Sequence, residues 1–171
     1  DVDIVGLGAF TSVISRSGRE AINKGVNVTT GNSLTAIASA NALIKACGQQ
    51  NVDITSERVA IIGAAGSIGR ILSLRLAEQA RNLILLGNPN NPKAQVKLMS
   101  VVGEMYWTAL QSDNHAKQHE LGISLLKLLG RKQADKLLLS FDGVDFEGLA
   151  QNINRIVHDE LGMASPVTVS V

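Results

Sequence analysis

The sequence is poor in cysteine, in aromatic residues and in net charge, and each shortage excludes a class of protein. One cysteine, Cys47, stands among 171 residues, which rules out an internal disulfide framework and indicates a reducing, cytoplasmic compartment. One tryptophan, one tyrosine and three phenylalanines leave few stacking platforms for single-stranded nucleic acid. A formal net charge of +1 gives no electrostatic reason to expect nucleic acid or an anionic membrane as a partner.

Long apolar runs and a signal peptide are absent as well, so we expect no membrane span. The length suffices for one hydrophobic core, or for one core with an appendage. The chain begins at Asp1 without an initiator Met and ends at Val171 within a predicted strand. We therefore expect a fragment of a longer protein, with residues needed for chemistry lying outside it.

The central feature of the sequence is the run RVAIIGAAGSIGR, residues 58–70. Val59–Ile62 is a short apolar run with the composition of a buried strand, and residues 68–80 continue with apolar residues at helical intervals. Three glycines lie at the junction between them. Gly63 allows a sharp turn, Gly66 lets a pyrophosphate approach closely, and Gly69 lets the helix pack close to the strand. This strand–turn–helix unit predicts that the first amides of the helix bind the phosphates of a dinucleotide.

The second strand, NLILL at residues 82–86, completes the expected βαβ spacing. It ends in Gly87-Asn88 without the Asp or Glu that usually binds the ribose hydroxyls of NAD. The positive charges of Arg70, Lys93 and Lys97 nearby would tolerate the 2′-phosphate that NADP carries, so NADP is expected ahead of NAD. The predicted cofactor-binding residues are Gly63, Ala64, Ala65, Gly66, Ser67, Ile68, Gly69, Arg70, Gly87 and Asn88. The alternative to dinucleotide binding is a glycine-rich turn without a ligand, since the spacing is GxxGxxG rather than GxGxxG. The alternative to a 2′-phosphate site is that the lysines only solvate a helix face.

The rest of the pattern predicts an α/β fold with a partial Rossmann-like parallel sheet of about three strands. Residues 1–55 are expected to hold the end of a substrate or catalytic domain plus a connecting helix at 34–47. Residues 56–171 are expected to form an incomplete NAD(P)-binding domain whose third strand is 167–171. Between its second and third strands, residues 93–162 are predicted as a helical insertion, with helices at 93–111, 115–129, 133–140 and 146–161.

The remaining residues that could take part in catalysis or metal binding are expected to have structural roles. Cys47 is predicted as a buried structural thiol. His115 and His119 have metal-ligand spacing but no third ligand, so an exposed polar face is expected and no metal is predicted. His158 near a helix end is expected on a solvated face, and Trp107 in the core. No catalytic residue is identified.

Three ordered motifs, GLGAFTS at 6–12, VTTGNSLTA at 28–36 and VAIIGAAGSIG at 59–69, resemble the central part of the long-chain acyl-[acyl-carrier-protein] reductases. The resemblance covers residues 1–88 and implies an NADP-dependent dehydrogenase that reduces an acyl thioester to an aldehyde through a catalytic cysteine. Cys47 does not match that cysteine, so the fragment alone is expected to be inactive. The resemblance also implies that Thr30, Gly31 and Asn32 line the nicotinamide or substrate side.

Two alternatives to acyl reduction stay open. One is a dehydrogenase of a small polar substrate with a nucleotide domain like that of the shikimate or glutamyl-tRNA reductases. The other is a non-catalytic nucleotide-binding or assembly module that uses the helical insertion as an interface. The expected partners are a small-molecule or acyl-carrier-protein-bound substrate, and an incomplete sheet with an open edge favours a homo-oligomer.

Overall fold

The structure, a computed structural model, describes residues 3–8, 11–16, 18–111 and 119–171. Its first part pairs two short strands, β1 (Ile4–Gly6) and β2 (Asn27–Thr29), in parallel. Two short helices, α1 (Thr11–Ile14) and α2 (Arg19–Asn23), connect these strands. The polar composition of residues 16–24 predicts an exposed segment there, without a helix. That prediction missed the helix, because three of the five residues of the α2 sequence REAIN are polar and obscure its apolar periodicity.

The main sheet holds three parallel strands in the order β3–β4–β5. Strand β3 (Arg58–Ile62) pairs along its whole length with β4 (Asn82–Leu86), and β4 pairs with β5 (Val167–Ser170). These bounds confirm the three predicted strands to within one residue at each end. The coarse prediction of an α/β fold with a parallel sheet is therefore confirmed.

The helices follow the predicted order with adjusted ends. The long connecting helix α3 (Asn32–Gln49) precedes β3, and α4 (Ser67–Ala77) joins β3 to β4. Between β4 and β5 lie α5 (Ala94–Gln111), α6 (Glu120–Leu129), α7 (Arg131–Ser140) and α8 (Phe146–Arg155). The last predicted helix is not uniform, because α8 gives way to a π-helical segment at Ile156–Glu160. Residues 115–118 of the second predicted insertion helix lie outside the described residues.

One face of the main sheet packs against the helices. Residues Ile61, Leu83, Leu85 and Val167 point to this face and are buried. The alternating residues point the other way, and Ile62 at the end of β3 is 84% exposed. The core therefore lies between one face of the sheet and the helices that contact it, with α4 against β3 and α5 against β5, and α8 packs on α5.

Helices α5 and α8 cross at very short range because Gly103 has no side chain. A Cβ atom at Gly103 would lie 1.8 Å from the carbonyl oxygen of Phe146. Phe146 in turn packs with Trp107 and Phe141 in an aromatic cluster whose ring centroids are 5.1–6.1 Å apart. Within the described ranges, no helix is both long enough and apolar enough to cross a membrane.

His119 corrects one prediction about the helical insertion. It was expected on an exposed polar face, but it is 8% exposed and caps the N-terminus of α6, where Nδ1 accepts a hydrogen bond from the Gly122 amide at 3.4 Å. The buried position follows from the packing of α6, which the sequence spacing of two histidines does not reveal. The expected exposure of His158 is confirmed. Trp107, expected in the core, is partly buried and packs against the core from its edge.

Candidate phosphate-binding site

The turn between β3 and α4 is built by glycines at two positions with different physical requirements. Gly63 has φ of +74°, a left-handed conformation that disfavours a side chain. Gly69 has no room for one, since a Cβ atom there would lie 2.2 Å from the carbonyl oxygen of Gly63. The first glycine therefore allows the chain to turn, and the last brings α4 directly against the turn.

Two amides of the turn bind the sheet rather than face outward. The amides of Gly63 and Ala64 donate to the carbonyl oxygen of Leu86, at 2.8 and 3.3 Å, and Ala64 is fully buried. The amide of Gly66 donates to the carbonyl of Gly63 at 2.9 Å, which closes the turn. These three predicted cofactor-binding residues thus set the shape of the turn.

The amides that face outward belong to the start of α4. The first backbone hydrogen bond that closes the helix runs from Arg70 N to the Gly66 carbonyl at 2.8 Å. Among the described residues, no acceptor takes the amide hydrogens of Ser67 and Ile68, and both residues are exposed. An anion at this position would meet two donors and the positive end of the helix dipole.

The second group of predicted residues lies beside the first. Gly31, with φ of +71°, is the N-cap of α3, and Thr30 Oγ1 accepts from the amide of Asn32 at 3.4 Å. Asn32 Nδ2 donates to Ser67 Oγ at 2.9 Å. The structure therefore brings the TTGNS loop and the glycine turn together, although 35 residues separate the two partners.

Helices α3 and α4 pack against each other behind this junction. Their N-termini meet at the Asn32–Ser67 hydrogen bond, and small residues on α3, Ala36 and Ala40, are fully buried. Since both helices are longer than two turns, their N-terminal partial charges add at one place. The junction is thus more electropositive than a single helix end.

The predicted ribose-side residues follow β4. The Gly87 amide donates to the carbonyl oxygen of Ser170 at 2.9 Å and so extends the pairing with β5. Asn88 is exposed, and its Oδ1 accepts from the amide of Asn90 at 2.9 Å. Gly87 serves the sheet, whereas the Asn88 side chain shapes the following turn.

Arg70, predicted as a cofactor-binding cation, is already paired. Its Nε donates to Glu104 Oε2 at 2.6 Å, and its Nη2 binds Glu104 Oε1 as well. The Arg70 side chain is 49% exposed and that of Glu104 is 17% exposed. Sequence reasoning missed Glu104, because it lies 34 residues away on α5 and no motif marks it.

Next to this ion pair lies a cavity of about 300 Å³ between α4 and α5. It reaches the glycine turn at Ala65 and the start of α8 at Phe146. The lining residues are Ala65, Arg70, Val96, Lys97, Ser100, Val101, Glu104 and Phe146. Lys97 thus shares the cavity lining with Arg70, whereas Lys93 does not line the cavity.

Residues with a shifted pKa lie away from the turn. Hydrogen bonds from Thr55 lower the pKa of Asp53, backbone hydrogen bonds lower that of Asp142, and burial lowers that of His119. Burial raises the pKa of Tyr106, which is in the core. Perturbed acids and bases often mark catalytic sites. In the described part of the chain, the turn has binding groups and no group tuned for proton transfer.

The structure also shows the surroundings of Cys47 and tests for groups of metal ligands. Cys47 is half-buried, packs against the core and lines a separate apolar cavity of about 250 Å³ with Leu43, Val52 and Ile54. The described residues contain no cluster of three or more histidine, cysteine, aspartate or glutamate side chains able to hold a metal. His115 lies outside the described residues.

Comparison with known proteins finds similarity to a protein over part of the chain. The chain is 39% identical over 105 residues to Aminotransferase PigE of Serratia sp. (strain ATCC 39006). The matched segment is 61% of this chain and 12% of that protein, so the chain spans a small part of its relative. No protein-family model matches the chain, and no solved structure matches it.

This comparison corrects the predicted function. The sequence predicts an NADP-dependent oxidoreductase that reduces an acyl thioester, with a dehydrogenase of a small polar substrate as an alternative. The named relative is an aminotransferase, which is a transferase rather than an oxidoreductase. Glycine turns serve many reactions, so the turn supports phosphate binding without identifying the chemistry. The resemblance to acyl-[acyl-carrier-protein] reductases stays an untested prediction.

Proposed function

We propose that this chain is a phosphate-binding α/β unit of an enzyme related to an aminotransferase. Its task in this proposal is to bind the pyrophosphate of a dinucleotide at the start of α4. The observation that carries the proposal is the pair of amides without an acceptor at Ser67 and Ile68, two exposed residues placed where the N-termini of α3 and α4 meet. A Rossmann-like arrangement of the three-stranded sheet belongs to the same proposal.

The residues present fit a pyrophosphate group. The Ser67 and Ile68 amides are donors, and Gly66 keeps the approach to them clear of a side chain. Ser67 Oγ accepts from Asn32 and retains its own hydroxyl proton as a third donor. In this proposal the chain binds and orients the phosphates of the dinucleotide.

The same residues fit pyridoxal phosphate, the cofactor of transamination, less well than they fit a pyrophosphate group. Pyridoxal phosphate needs a lysine that forms a Schiff base, and such lysines are activated in a desolvated or cationic setting. Every lysine in the described part of the chain is exposed to solvent. We therefore assign these residues a binding role and derive no amino-group transfer from them.

The proposal is tested by calorimetric titration with pyrophosphate, NADPH and NADH, and with pyridoxal phosphate as a competing phosphate ligand. Gly66→Glu places a carboxylate in front of the amides, so we expect at least a tenfold loss of pyrophosphate and dinucleotide affinity. Gly48→Glu is the matched control, because a Cβ atom at Gly48 meets nothing within 4 Å.

Equal affinity of the wild type and Gly66→Glu for pyrophosphate would remove the assigned site. Preferential binding of pyridoxal phosphate would replace the dinucleotide by another ligand.

The expectation of NADP ahead of NAD stays a prediction, and the ratio of the NADPH affinity to the NADH affinity tests it. Lys97→Met should lower that ratio, because Lys97 is the cation that shares the cavity lining with the already paired Arg70.

A further inference from the structure

The cavity between α4 and α5 has the size and the lining of a small ligand site. Its volume of about 300 Å³ lies at the lower end of the range for ligand pockets. Its apolar walls come from Val96, Val101 and Phe146, of which Val101 is buried and Val96 is exposed. A flat, apolar ring could therefore enter from solvent and cover exposed apolar surface.

Two kinds of polar group in the cavity lining can meet a ribose: the carboxylate of Glu104, which can accept from a hydroxyl group, and the cation of Lys97. The carboxylate of Glu104 lies in the lining, and its bond to Arg70 offsets the charge of the arginine. A carboxylate offers about four lone-pair sites, so Glu104 can still accept from another donor while Arg70 is bound. Arg70 is in this way a positioning residue for Glu104.

The cavity is continuous with the glycine turn. Ala65 belongs both to the turn and to the cavity wall, and Arg70 lies one helical turn beyond Gly66. A ligand with phosphates at Ser67 and Ile68 can therefore extend along the first turn of α4 into the cavity.

From these three observations we infer that the cavity binds the nucleoside end of the dinucleotide. The base would lie against Val96, Val101 and Phe146, and Glu104 would accept from a ribose hydroxyl. This inference rests on the proposed function, because it takes the phosphates to lie at the start of α4. It adds a nucleoside site formed by α5 and α8, elements that the glycine motif does not include.

The test compares ADP with inorganic pyrophosphate by calorimetry on the same chain. We expect ADP to bind at least tenfold more tightly, because only ADP carries a nucleoside. Val96→Trp fills the cavity from an exposed helix position and should reduce ADP affinity to the level of pyrophosphate, with pyrophosphate affinity unchanged. Gln95→Trp, on an exposed neighbouring position outside the lining, is the matched control and should change neither.

Glu104→Gln gives a second measurement that keeps the shape of the side chain. We expect it to weaken ADP severalfold more than 2′,3′-dideoxy-ADP, which lacks the ribose hydroxyls. A role for Glu104 only in folding would weaken both ligands equally and would overturn its assignment.

The outcomes separate this inference from the proposed function. Pyrophosphate binding without any gain for ADP, or unchanged or tighter ADP binding by Val96→Trp, overturns the nucleoside site and leaves the phosphate site standing. ADP binding that Val96→Trp abolishes and Gly66→Glu leaves intact supports the cavity and removes the phosphate site instead.

Discussion

The side chain of Asn32 at the start of α3 donates to the hydroxyl of Ser67 at the start of α4, at 2.9 Å. This hydrogen bond links two loops that are separate in the sequence, and it holds two helix N-termini together. It also fixes the hydroxyl that would face a phosphate. The geometry of the candidate site therefore depends on a residue outside the glycine turn.

Asn32→Ala removes this link. We expect the affinity for pyrophosphate to fall about threefold to tenfold, and the free energy of unfolding to fall by about 0.5–1.5 kcal/mol, the usual net value of a hydrogen bond. Calorimetric titration and urea denaturation measure the two quantities. Asn41→Ala on the exposed face of the same helix is the control and should leave affinity unchanged. Equal affinities of both variants would show that the link does not support binding.

Gly69→Ala should destabilise the fold without touching a hydrogen bond. The added Cβ atom would lie 2.2 Å from the Gly63 carbonyl oxygen, so α4 must move away from the turn. Overpacking of this kind typically costs about 1–3 kcal/mol. Urea denaturation measures the loss. Gly48→Ala is the control, because its Cβ atom meets nothing and alanine favours the helix. Full stability of Gly69→Ala would contradict the described packing.

Gly103→Ala tests the crossing of α5 and α8. The new methyl group would collide with the Phe146 carbonyl, and Phe146 packs edge-on against Trp107 with centroids 6.0 Å apart. We expect a loss of about 1–3 kcal/mol in stability. The chain contains one tryptophan, so a shift of its fluorescence reports the displacement of this cluster directly. An unchanged spectrum with unchanged stability would argue against the close crossing.

His119 should make stability depend on pH. Burial lowers the pKa of His119 in the folded state, and the nearby Glu78 and Glu120 oppose this shift only in part. As the pH falls below about 6.5, the ordinary pKa of histidine, the unfolded chain takes up a proton before the folded chain does. The free energy of unfolding should therefore decrease until the folded-state pKa is passed.

Urea denaturation between pH 7.5 and pH 5.5 measures this dependence. His119→Asn keeps an N-cap acceptor and removes the titration, so its profile should be flatter than that of the wild type. His158→Asn, at a largely exposed position, should retain the wild-type slope. Parallel profiles for all three proteins would exclude His119 as the cause.

Sequence patterns predicted most of the main sheet correctly. The apolar runs of β3, β4 and β5 are short, and glycine or proline residues bound them, so local composition was sufficient. The small helix α2 was missed because its sequence carries too few apolar residues to show a period. The buried position of His119 could not be predicted, because it depends on how α6 packs against other elements.

The sequence by itself determined where the chain turns, because Gly63 and Gly69 satisfy steric requirements that act over a few residues. The tertiary structure alone decided which distant side chains meet at that turn. Asn32 reaches Ser67, and Glu104 neutralises Arg70, through contacts that span more than 30 residues. Such pairs form only when whole helices pack, so their chemistry is a property of the folded arrangement and not of any local motif.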